Sequence, residues 1–177
     1  MNPSIDLRLA SMIRALTDVI IPALGATDGL AAEQAQLVLG HLHVLRGQVD
    51  HTGPFAQLEH RAASSLGQAL IADAGRGACD ATALARLEAA LAVDAGAQVG
   101  SLSAGAEAIR AAIEDVIRSS TDEDGGARLQ SIVIEHERRT ADDCRTWFAA
   151  MGWEGGEHRL PSIAERADGV LAGAEGA

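Results

Sequence analysis

The chain has 177 residues, 47% of them apolar, which is one domain's worth of sequence and enough for a continuous core. Phe, Trp and Tyr together number four against 36 alanines, so that core has to be aliphatic groups on closely approaching backbones, which favours helices. The formal charge of −11 repels phosphate backbones and anionic headgroups, so neither nucleic acid nor membrane partners are expected.

All 14 basic residues are arginine, and lysine and tyrosine are absent. A Schiff-base lysine, a Walker A lysine, a Ser-x-x-Lys nucleophile and a tyrosine acid are thereby excluded.

Asn2-Pro3 reads as an N-cap and first helical position, followed by Ile5, Leu9, Met12, Ile13, Leu16 and Ile20 at helical spacing. This N-terminal helix occupies residues 1–25. A second periodic stretch starts at Leu30 and resumes beyond Thr52-Gly53-Pro54 with Phe55, Leu58, Ala62, Leu66 and Leu70. Residues 30–74 are expected as one long helix kinked at Pro54, in preference to two successive helices. Asp80 is a plausible N-cap for a helical arm over 80–120, interrupted near Gly96 and Gly100. In that arm Glu107, Arg110, Glu114 and Arg118 form a solvated face opposite Ile109, Ile113, Val116 and Ile117.

An acidic turn then leads to a last long helix over 126–151, whose Ile132-Val133-Ile134 triplet could suit a strand but has helical flanks. A tail over 152–177 carries a short helix. The expected architecture is all-α, a single domain over 1–177 forming an up-and-down helical bundle with long, partly kinked helices.

Most site motifs fail on inspection. Gly75-x-Gly77 lacks the third glycine and the preceding strand of a dinucleotide loop. Asp122, Asp124 and Gly125 match three EF-hand positions, yet Ser120 and Ser131 stand where calcium needs carboxylates. No Glu-x-x-His pair is present for a di-iron bundle. Cys79 and Cys144 belong to no Cys-x-x-Cys pair, so they are expected as free thiols. His41, His43, His51 and His60 crowd one stretch but point in different directions on a helical wheel, so no metal and no cofactor is expected.

One pattern stands out. At about 100° per residue, Leu30, Leu37, Val38, Val44 and Leu45 surround His41. Gln34 and Gln48 lie seven residues to either side of it, and on a continuous helix Glu59 returns to the same side. A similar polar column, His136, Thr140 and Asp143, runs beside Leu129, Val133, Trp147 and Met151. Both columns are expected to face inward, with His41 and His136 buried on facing helices. Buried polar groups left unpaired cost about 1–3 kcal/mol each, so the columns should satisfy one another, water or a ligand.

The bland reading is a register device, as polar core positions are in coiled coils. The sharper one is an internal His/carboxylate site binding a metal or small ligand, with histidine as acid or base. Trp147, Phe148 and Trp153 place three of the four aromatics together, either as a plug closing the bundle or as an interface anchor.

The start of the chain lacks a basic segment, and Asp6 and Asp18 interrupt its apolar stretch, so a secretory leader is not expected and a cytoplasmic location is. The function expected is that of a non-catalytic accessory or interaction protein. It self-associates, as a homodimer or with a protein partner, because an Ala-rich bundle gains burial by pairing.

Overall fold

The structure, a computed structural model, describes residues 2–24, 29–74, 79–120, 123–149 and 160–174. The protein is all-α: every named element among the described residues is helical, and an isolated bridge between Cys79 and Ser120 is the sole β-type pairing there. Among the same residues no helix is long and apolar enough to cross a membrane. The chain divides into two compact units, one formed by Met1–His51 with Cys144–Arg166 and the other by Thr52–Asp143 with Ala167–Ala177.

In the first unit, α1 (Ile5–Ala15) starts two residues later than Asn2-Pro3 suggests. Ser4 is the N-cap, its hydroxyl accepting from the Leu7 N–H at 3.1 Å, while Pro3 precedes the helix. A π turn over Leu16–Ile20 leads into the short α2 (Ile21–Ala23). Pro22 lies in α2 and brings no N–H, and its ring crowds the carbonyl four residues back; widening the preceding turn relieves both. α3 (Gly29–Gln48) packs against α1. The Arg46 guanidinium ties the two together, its Nε 2.6 Å from Asp6 Oδ1 and its Nη2 3.3 Å from Oδ2. Leu9 of α1 and Val44 and Gln48 of α3 are buried.

The expected kinked helix is two helices in sequence. A 3-10 turn, Val49–His51, separates α3 from α4 (Thr52–Ala74), and Pro54 is the third residue of α4, where its missing N–H has no intrahelical partner to lose.

The second unit contains the main core. α4 meets α5 (Ala81–Leu91) and α6 (Val99–Arg118), which also pack on each other. Leu66 and Leu70 of α4, Leu87 of α5, Ile109 and Val116 of α6, and Leu129 of α7 (Glu123–Phe148) form its centre. Alanines 63, 83, 106 and 112 fill the gaps between them. Asp80 caps α5 as expected, accepting from the Thr82 and Ala83 N–H groups at 2.7 and 3.2 Å.

Gly67 marks a close approach: a Cβ there would lie 3.2 Å from both methyls of Leu91. Gly96, with φ of +63°, turns the chain between α5 and α6. The charged face of α6 is solvated, with Arg118 paired to Glu114 and 3.8 Å from Asp115. α7 begins at Glu123, before residue 126, and the triplet 132–134 is helical within it. α8 (Ile163–Ala174) opens with a capping box, Ser162 and Glu165 each accepting from the other's backbone N–H.

Candidate functional site

The inward-facing column expected on α3 holds at its C-terminal end alone. Gln48 is buried and its Nε2 donates to the Trp147 carbonyl at 2.7 Å. That carbonyl lies in the last turn of α7, so the glutamine ties the end of α3 to the end of α7 within the first unit. Gln34 and His41 are exposed. The reason is that α3 is apolar on two sides and α1 covers one of them. Ala32, Ala35, Leu39 and Leu42 are half-buried on the side from which Arg46 reaches Asp6. Of the five residues that surround His41 on the wheel, Val44 is buried beside Gln48, whereas Leu30, Leu37, Val38 and Leu45 keep 73, 46, 49 and 51% of their surface.

Glu59 does not continue the column. The 3-10 turn advances each residue by about 120° instead of 100°, so three residues shift the phase by about 60°. Glu59 belongs to the second unit, where its carboxylate lies 3.5 Å from Arg110 of α6. Its neighbour His60 is half-buried as a packing group: a Cβ added at Gly105 would sit 3.0 Å from both Cδ2 and Nε2 of the ring. The small residue on α6 and the imidazole on α4 thus fit one another.

On α7, His136, Thr140 and Asp143 share a half-buried face of the second unit. Thr140 Oγ1 donates to the His136 carbonyl at 3.1 Å, a local bond within the helix. His41 and His136 fall in different units, so no single unit gathers the candidate histidines and carboxylates. Among the described residues no group of three or more His, Cys, Asp or Glu side chains could hold a metal ion.

Of the aromatic cluster, Phe148 is 52% exposed, Trp147 is half-buried, and Trp153 lies outside the described residues, as does Met151. Cys79 and Cys144 are free thiols. Burial, and to a lesser extent the Asp80 carboxylate beside it, push the Cys79 thiol above its ordinary range and away from nucleophilic use.

Two surface depressions are open to solvent. One runs along α1 past Leu7, Ser11 and Met12, and the other lies between Asp80, Arg86, Asp115 and Arg118. Neither is lined by a histidine or a cysteine.

Sequence reasoning missed the outward face of α3, although the signal was there. Ala32, Ala35, Leu39 and Leu42 form a second apolar side, and α1, in covering it, leaves much of the other to face water. It also missed Thr146, buried on α7 with the one buried side-chain polar atom among the described residues that lacks a hydrogen-bond partner.

No protein-family model matches the chain, and no curated protein or solved structure matches it either.

Proposed function

We propose that the protein is a non-catalytic helical interaction module that self-associates through its first unit. The observation that carries this reading is where the large apolar side chains remain exposed. Of thirteen such residues among those described, ten are in the first unit: Ile5, Leu7, Met12, Val19, Ile20, Leu30, Leu37, Val38, Leu45 and Phe148. Concentrations of exposed aliphatic groups of this kind mark interaction surfaces. The second unit, by contrast, is closed over its core, with Val93, Val99 and Ile134 exposed singly.

The magnitude favours a reversible complex. A fully buried aliphatic side chain contributes about 1.5–3 kcal/mol. Covering the four on α3 in two copies recovers on the order of 7–13 kcal/mol. Association costs about 4–15 kcal/mol in lost freedom, so α3 alone supports weak pairing, and groups such as Met12, Val19 and Phe148 have to add to it. A micromolar dissociation constant is the expected outcome. The net charge of −11 fits a protein partner better than a polyanion.

Sedimentation velocity across the micromolar range tests the reading. A concentration-dependent dimer supports it, and a monomer throughout overturns it.

A further inference from the structure

The outward face of α3 has an internal symmetry. Its exposed residues are Leu30, Gln34, Leu37, Val38, His41 and Leu45, spaced 4, 3, 1, 3 and 4 residues apart. That order reads the same in both directions from a point between Leu37 and Val38: leucine at each end, a polar group inside each end, two aliphatic groups at the centre. At about 100° per residue the six fall within an arc of about 100°, so they share one side of the helix. They also form two i+4 rows, 30-34-38 and 37-41-45, the ridges by which helices interdigitate when they cross. A two-fold axis through the midpoint exchanges one row with the other.

We propose that α3 pairs with α3 of a second copy of this chain, in opposite directions, about a two-fold axis at Leu37 and Val38. The inference rests on the self-association reading above and specifies its surface and geometry. In that arrangement Leu30 of each copy meets Leu45 of the other, Leu37 meets Val38, and Gln34 lies opposite His41, twice by symmetry. An isologous contact requires a patch complementary to itself, and this patch is.

Two further features favour a second copy over another protein. The face carries no Asp, Glu or Arg, so two chains that are each strongly acidic meet there without opposing like charges. The polar pair supplies register: a glutamine amide and an imidazole can hydrogen-bond each other, whereas a one-turn slip in either direction sets each against leucine or valine. Six residues a side is far fewer than the 20–30 of a standard interface, which agrees with reversible association.

Disulfide trapping in the full-length chain tests the geometry, with Cys79 and Cys144 replaced by serine. Leu30, Val38 and Leu45 are exposed, and the helix content of the background with both cysteines replaced, in which Cys79 is half-buried, is compared with that of the unsubstituted chain before trapping. Val38→Cys, next to the axis, is expected to form covalent dimers under mild oxidation. Leu30→Cys and Leu45→Cys are each expected to stay uncrosslinked alone, because 15 residues at 1.5 Å separate each from its own symmetry mate by about 22 Å. Mixed together, they are expected to crosslink.

Efficient crosslinking of Leu30→Cys by itself would show parallel pairing and overturn the proposal. If no variant crosslinks while the unsubstituted chain sediments as a dimer, self-association stands and this surface is wrong. If the unsubstituted chain is a monomer, both fall.

Discussion

Gly105→Ala probes the contact between α4 and α6 on which the second unit depends. In a helix interior this change gains about 0.8–1.0 kcal/mol from backbone propensity. Here the added methyl would lie 3.0 Å from Cδ2 and Nε2 of His60 and 3.2 Å from Cβ of Ala95. At 3.0 Å the imidazole has to move, and it is a rigid ring on a half-buried position. Overpacking of that kind costs about 1–3 kcal/mol, so the net effect is a loss of up to about 2 kcal/mol.

Gly100→Ala, in the first turn of the same helix with nothing within 4 Å of its added Cβ, is the control and is expected to be neutral or mildly stabilising. In a His60→Ala background the clash with the ring disappears, leaving the 3.2 Å approach to Ala95 Cβ, and Gly105→Ala should recover most of its propensity gain. The assay is urea unfolding followed by circular dichroism for wild type, both single variants and the double variant. Fluorescence of Trp147 and Trp153 reports separately on the region outside the second unit. The expected coupling energy is about 1–3 kcal/mol. A coupling below about 0.5 kcal/mol, the usual error of additivity, would refute the packing role assigned to His60.

Thr146→Val keeps the volume of a buried residue and removes a hydroxyl that has no hydrogen-bond partner, so thermal unfolding should be unchanged or shifted upward. The Asp80 carboxylate is held below its ordinary value of 3.8, chiefly by the Thr82 and Ala83 N–H groups it caps. A group depressed in the folded state contributes fully above that value and loses its contribution as the pH falls through the folded one. Asp80→Ala should therefore destabilise the protein at pH 7 and lose its effect in strongly acidic solution, as urea midpoints at the two pH values will show. Maleimide labelling near neutral pH should modify the exposed Cys144 before Cys79, whose thiol is raised by burial; mass spectrometry of partly labelled protein reads the order. Phe148→Ala should weaken the proposed self-association in sedimentation without changing helix content, since its side chain is half exposed in the first unit.

The helical class was legible in the chain because it depends on short-range spacing. Leu102, Ala106, Ile109, Ile113 and Val116 recur on one side of α6 and are buried there, while Glu107, Arg110, Glu114 and Arg118 stay in water. Asp80 announced a cap for the same local reason, since its partners are two and three residues away. The box of Ser162 and Glu165 was equally readable and was overlooked.

The candidate site was a different matter. A helical wheel reports which residues share a side of one helix, and only the neighbouring helices decide which side is covered. On α3 two apolar sides compete, and the ion pair between Asp6 and Arg46, forty residues apart, lies on the side taken by the alanines. His41 was thereby left outside and Gln48 alone turned inward, to a carbonyl 99 residues away. Glu59 was lost from the column to a 3-10 turn of three residues, a change of pitch that spacing in the sequence does not record. Periodicity is set by the backbone and is written locally, whereas burial is set by what packs against it, and that is a property of the assembled fold.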